Sequence, residues 1–253
     1  MAQPSSSSIT NLFNDSRLSD VTIHQVSGGE IREYKAHRAL LAIYSKWFLN
    51  AFIGPYKEAK TDAIEMHDDD PDAFRFVLKY MYTDHYDDEE IKEMIGYDPS
   101  NVFLPHIKIF IVADKYDIER LRSEAMKNLE KAVWNMDEGI ELLLSNLVVG
   151  VEAYYGIGMD DGTQMGSRLA SIIHRHPGMR KFTRSPIFAK LVREFPSFAA
   201  DVLLHERFLS VTKCTCSNCK KPSTYVERSH NGWGYCFECG KSQWFNGKEM
   251  DDE

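Results

Sequence analysis

Along residues 20–26, "DVTIHQV", polar and apolar side chains alternate around β-branched Val21, Ile23 and Val26, the period-two pattern of a half-buried strand. "SGGE" (27–30) supplies a turn and "IREYKAH" (31–37) follows, so the first expected element is a β-hairpin. The period changes in "HRALLAIYSKWFLNAF" (37–52). There Leu40, Leu41, Tyr44, Phe48 and Phe52 recur at steps of three and four and predict one helix, ended by Gly54 and Pro55. A short β-like run, "AIEM" (63–66), precedes "DDDPDAFRFVLKYMYTD" (68–84). Asp70 is placed there as an N-cap, Pro71 as the first helical residue, and Phe74, Val77, Leu78 and Met81 as one apolar face. The acidic stretch "DDEEIKEMIGYDPSN" (87–101) reads as a short helix or surface loop, and a further helix opens after Pro105 in residues 106–134. From about 135 to 212 the pattern stays helical, with interruptions at "GIGMDDGTQMG" and at Pro177, Pro186 and Pro196.

With 253 residues, 43% of them hydrophobic and 12% aromatic, the chain can fill a real core. No apolar run approaches the roughly 20 residues that span a bilayer. The start, "MAQPSSSSITNLF", is Ser-rich, with neither the basic start nor the apolar segment of a secretory signal. A soluble intracellular protein of the cytoplasm, the nucleus or both is expected. The formal charge is −8, and the acid is concentrated: from Glu58 to Asp98 there are fourteen Asp or Glu against four Lys or Arg. Such a stretch repels phosphate and is expected to be a solvated face with a loop.

All five cysteines lie in "KCTCSNCK" (213–220) and "YCFECGK" (235–241). Paired near one end, they make a poor disulfide framework for a chain of this size. Cys216-x2-Cys219 and Cys236-x2-Cys239, sixteen residues apart, have instead the spacing of a four-thiolate structural zinc ribbon, in which each two-residue gap turns both sulfurs toward one tetrahedral ion. Gly240 suits the left-handed turn after the second pair, and Tyr225, Val226, Tyr235, Phe237, Trp244 and Phe245 are expected to supply strands and an apolar side. Cys214 is an alternative to Cys216 but requires a looser Cys-x4-Cys turn, and His230 is a weaker substitute still. Four thiolates leave no open position for water, so the metal would fold the tail rather than catalyse.

Four segments in order, "SDVTI" (19–23), "YKAHRALLAIYSKWFLNAF" (34–52), "IEMHDDDPDAFRFVLKYMYTDHY" (64–86) and "IFIVADKYDIERLRSEA" (109–125), together resemble a BTB/POZ domain. The compact form with "ADKYDI" resembles the fungal members of that family. The resemblance implies an α+β fold in which a small sheet caps a helix cluster, with His37 and Ser45 helping to fix the helices. It also implies protein–protein binding. In cullin-binding members an apolar residue, any residue and then Glu follow the long helix, and "YKE" (56–58) stands there, which makes Tyr56 and Glu58 the candidate partner-binding residues and a cullin scaffold the candidate partner. Two departures are the short segment before "SDV", which leaves little surface for a homodimer, and the acidic insertion at 87–100.

Little points to catalysis. "GIGMDDG" (156–162) has the wrong spacing for a phosphate loop and carries Asp160 and Asp161 where an anion would bind, so it reads as a turn. "HRH" (174–176) lacks a third ligand, and no nucleophile elbow is present. His37 is expected to be a hydrogen-bonded packing residue, and Asp20 and Asp114 to be caps or turn formers. The expected organisation is a lead at 1–18, disordered or partly helical, a BTB/POZ domain at 19–134, a helical segment at 135–212, a zinc-ribbon-like module at 213–247 and an acidic tail at 248–253. The expected function is non-enzymatic protein–protein interaction, in particular as a substrate adaptor of a cullin-type ubiquitin ligase. The alternative is a nuclear regulator that assembles through the first domain and uses the ribbon on nucleic acid or protein. Residues 213–241 offer only five bases against two acids for a nucleic-acid contact.

Overall fold

The structure, a computed structural model, describes residues 7–96, 98–136, 140–175, 179–207, 211–216, 218–220, 222–226, 233–235 and 242–244. Strands β1 (Val21–Ser27) and β2 (Glu30–Ala36) form the expected antiparallel hairpin, with Ser27 opposite Glu30. Gly28 and Gly29 sit at φ 58° and 86° in its two-residue turn. That left-handed pair matches the twist of the strands and is cheap only without a Cβ. Strand β3 (Ala63–His67) runs parallel to β1 on its other side, giving the order β2-β1-β3. The inward positions of β1 are Val21, Ile23 and Gln25, not Val26. Strict alternation puts Gln25 inside, where its amide donates to the Asp69 carbonyl at 3.1 Å.

A single turn, α1 (Ser7–Thr10), precedes the sheet. The helix expected over 37–52 is two helices, α2 (Arg38–Tyr44) and α3 (Lys46–Ile53), with Ser45 between them in extended conformation. Ser45 Oγ caps α3 by accepting from Phe48 N–H at 3.1 Å and donates to the Tyr116 carbonyl at 2.5 Å. The break therefore satisfies polar groups on both sides. Helix α4 (Pro71–Thr83) begins as expected: Asp70 Oδ1 accepts from Ala73 N–H at 3.0 Å and Pro71 opens the helix. Beyond the four expected residues, Phe76, Tyr80 and Tyr82 are also buried, so α4 runs through the core.

Helix α5 (Asp88–Ile95) occupies the acidic stretch. The helix expected from 106 divides into α6 (Leu104–Lys115) and α7 (Glu119–Trp134) at a turn where Asp117 takes φ 52°. Tyr116, at that turn, anchors the core: its ring packs on Phe48, Trp47 and Phe74 at 5.5, 5.3 and 5.8 Å, and its hydroxyl donates to Asp69. Burial first, and then the Asp69 carboxylate, hold that phenol protonated. Helix α8 (Ile140–Tyr155) packs on α6, and its buried Asn146 accepts from Phe103 N–H at 3.1 Å while donating to the Pro99 carbonyl at 2.8 Å. These elements form one compact unit, Met1–Ile157.

The second unit is Gly158–Glu253. It holds α9 (Gln164–Arg175), α10 (Met179–Phe182), α11 (Pro186–Glu194) and α12 (Pro196–Arg207). Pro186 and Pro196 open helices rather than merely interrupting them, because the first helical position needs no N–H. Helix α9 packs on α12. Two antiparallel hairpins follow, β4 (Val211–Thr215) with β5 (Pro222–Val226), and β6 (Trp233–Tyr235) with β7 (Ser242–Trp244). No described helix is long and apolar enough to cross a membrane.

Candidate functional site

Helix α3 stops at Gly54, whose N–H donates to the Asn50 carbonyl at 2.9 Å. A Cβ on Gly54 would lie 2.5 Å from that carbonyl and 2.7 Å from the Tyr56 ring, so glycine is what lets the ring lie against the backbone. Tyr56 is 56% exposed, and a single 3-10 turn, Lys57–Ala59, follows it. Ile53, just before, is 73% exposed. Glu58 is half-buried. Arg38 pins this turn, donating to the Glu58 carbonyl at 3.0 Å and to the Thr61 carbonyl. Arg38 is itself held by Asp20, whose Oδ1 accepts from Arg38 N–H at 2.8 Å, and its guanidinium lies 4.8 Å from the Phe52 ring centre. Sequence reasoning missed Arg38, because Asp20 and the two carbonyls it bonds lie 18 to 23 residues away along the chain.

The solvated acidic face expected over 58–98 is only partly that. Glu90 is buried at 6% exposure between Arg75 and Lys79, the latter 2.9 Å away. Burial opposes the charge of Lys79, but the hydrogen bonds it donates to the Asp87 and Glu90 carboxylates outweigh it and raise the lysine pKa. Asp69 is buried as well, paired with Lys115 at 2.9 Å. Asp88, Glu89 and Glu93 are the exposed remainder on α5.

The other residues singled out in the sequence turn out to serve packing. His37 lies 2.9 Å from the Tyr82 hydroxyl and 2.8 Å from the Arg17 carbonyl. Asp114 pairs with Arg122 at 2.6 Å. His174 lies 2.8 Å from the Val202 carbonyl and stacks on His205, so it packs against α12 rather than extending into water. His176 is outside the described residues. In the turn 156–162 the N–H of Gly162 donates to Oδ1 of buried Asp201 at 2.7 Å. Phe13 in the short lead packs edge-on to Tyr82 at 5.8 Å.

Between β4 and β5 lies the first cysteine pair. Cys216 is buried and Cys219 half-exposed, and Cys219 N–H donates to Cys216 Sγ at 3.4 Å. The turn closes with Lys220 N–H donating to the Cys216 carbonyl at 2.8 Å, Lys220 being left-handed at φ 59°. Cys214 is in β4, opposite Ser223. Cys236, Cys239 and His230 lie outside the described residues, with the second pair falling between β6 and β7. Among the described residues no three His, Cys, Asp or Glu side chains cluster as a metal site.

The family model for the BTB/POZ domain matches residues 9–132. These residues form a BTB domain. Its sequence is 33% identical over 90 residues to BTB/POZ and MATH domain-containing protein 3 of Arabidopsis thaliana, covering 35% of this chain and 22% of that protein. It is 40% identical over 78 residues to human BTB/POZ domain-containing protein 6, covering 30% and 14%. Kelch-like protein 21 of Rattus norvegicus is 31% identical over 75 residues, covering 30% and 12%. The chain thus spans at most about a fifth of the length of these plant and animal relatives. The BTB domain of zebrafish PATZ1 aligns with 52% of the chain and 98% of its own, at a TM-score of 0.36 and 21% identity. BTB domains are modules for protein–protein interaction, and this chain carries one.

Proposed function

We propose that the chain is a non-enzymatic adaptor whose BTB domain docks on a cullin scaffold through Tyr56 and Glu58, leaving the rest of the chain to recruit a substrate. The observation that supports this most is the exposed Tyr56 ring, held on a turn that Arg38 fixes from two sides. A pre-positioned aromatic loses little freedom on binding and makes an effective anchor. The similarity to a Kelch-like protein favours the same reading. Titration of the full chain with a cullin N-terminal domain tests it. Tyr56→Ala is expected to cost about 2 kcal/mol or more, roughly a thirtyfold loss, and Glu58→Ala less, since the carboxylate chiefly sets register. Binding that survives both substitutions, or its absence in the parent protein at tens of micromolar, would overturn the docking reading.

We further propose one structural zinc ion per chain, held by Cys216, Cys219, Cys236 and Cys239. Two hairpins, each with a Cys-x2-Cys pair between its strands, support it, as does the N–H donated to Cys216 Sγ, which favours the thiolate a metal needs. The same bond favours Cys216 over Cys214. Thiolate ligation also favours a reducing compartment, the cytoplasm or nucleus. Metal analysis should find about one zinc per chain, lost in the double variant Cys236→Ser, Cys239→Ser; retention of the metal there would refute the site.

A further inference from the structure

From Arg175 to Arg193 the chain carries six Lys or Arg and no Asp or Glu, within a protein of net charge −8. The second half of this stretch is organised by α11. Ser185 caps it, accepting from Phe188 N–H at 3.2 Å, and Leu191 is buried. Phe188 packs against Phe182 and Phe198 at 5.3 and 6.0 Å. With one face so committed, the helical period turns Ile187, Lys190, Arg193 and Glu194 outward, and Arg184 stands exposed just before the helix. Ile187 is 54% exposed. Lys190 reaches Glu194 at 3.6 Å, whereas Arg184 and Arg193 have no ion-pair partner among the described residues.

We propose that this outward face of α11 is a docking surface for an acidic segment of a partner protein, its carboxylates meeting Arg184, Lys190 and Arg193 and an apolar side chain covering Ile187. Charge complementarity selects the occupant. A polyanion such as nucleic acid gains nothing from Ile187, meets Glu194 within the stripe, and is repelled at long range by the acidic remainder of the chain. A short peptide carries few charges and responds to the local field within about 8–10 Å, which is cationic here. The surface belongs to the unit Gly158–Glu253, whereas the Tyr56–Glu58 turn belongs to Met1–Ile157.

Fluorescence anisotropy of the full chain at about 50 mM salt decides the matter. The probes are a short labelled peptide of Glu-Glu-Leu repeats, its Lys-Lys-Leu counterpart and a single-stranded oligodeoxynucleotide. The acidic peptide is expected to bind saturably, at least about tenfold tighter than the other two, and to be released as salt rises to about 500 mM. Replacing Arg184, Lys190 and Arg193 together by Glu, or together by Gln, is expected to weaken it at least about tenfold while the circular dichroism and melting temperature stay unchanged. Two variants are used so that misfolding of one does not decide the result. No saturable binding of the acidic peptide, undiminished binding by both variants, or tighter binding of the oligonucleotide through the same residues overturns the proposal. So does concentration-dependent self-association of the parent chain that the variants abolish, since the occupant would then be a second copy.

Discussion

His106 shows how burial makes a residue sensitive to acid. It is 6% exposed, its Nδ1 lies 2.8 Å from the Tyr86 hydroxyl, and burial pulls its pKa down from 6.5 to about 4, only partly offset by Asp88. Because the folded-state value lies below the unfolded one, the unfolded chain takes up the proton first. The stabilisation from keeping the ring neutral is complete above pH 6.5 and is lost as pH falls toward about 4. The stake is on the order of 3 kcal/mol. Urea unfolding at pH 7 and near pH 4.5 should show a smaller loss of stability for His106→Gln than for the parent; equal losses would exclude His106 as a cause. What was legible at this scale was local. Asp70 could be read as a cap because its partner is three residues away, and the packing role of His37 followed from the absence of any catalytic partner. Gln25 and Arg38 were opaque because what they bond lies 44 and 20 residues along the chain, whereas Ser45 was expected to help fix the helices and only its partner, 71 residues away, was hidden.

At the scale of elements, periodicity identified helical segments but not their breaks. The stretches 37–52 and 106–134 keep an apolar period through Ser45 and Asp117, and only tertiary contacts, such as the bond from Ser45 to the Tyr116 carbonyl, reveal that each is two helices. The contact of α9 with α12 was equally hidden. Gly166 lies where a Cβ would come within 2.0 Å of Asp201 Oδ2, and the Asp201 carboxylate is already committed to Gly162 N–H. Gly→Ala inside an ordinary helix stabilises by about 1 kcal/mol. Here the sign is expected to reverse, with Gly166→Ala costing about 1–3 kcal/mol through overpacking. A melting temperature equal to or above that of the parent chain would refute the close packing of α9 on α12.

For the molecule as a whole, the two compact units imply separable stabilities. The small hairpins β4–β5 and β6–β7 cannot bury enough apolar surface to stand alone, whereas the Met1–Ile157 unit has a large core and holds none of the four proposed zinc ligands. Chelation is therefore expected to expose the chain to protease after about residue 212 and to leave the Met1–Ile157 unit intact. Gel analysis of limited digests with and without chelator checks this, and identical patterns would refute the coupling. The order of the BTB segments was legible because four of them occur in register. Tyr225, Val226, Tyr235 and Trp244, expected to supply strands, do lie in β5, β6 and β7, but the bounds of those strands, β4 and the α10 turn were not legible, because runs of three to five residues carry too little period to read.

The central place of β1 has a further consequence, for the order of events as the chain is synthesised. Its partner β2 is separated from it by a two-residue turn, so the hairpin needs only a small loop closure and can pair as soon as Ala36 is free. Its other partner, β3, begins only at Ala63, after α2 and α3, a non-local pairing that sets a slow step. Until His67 has emerged, the far edge of β1 is an open template for any other strand in the cell. The growing BTB domain is most prone to mispairing during the roughly thirty residues between the end of β2 and the end of β3.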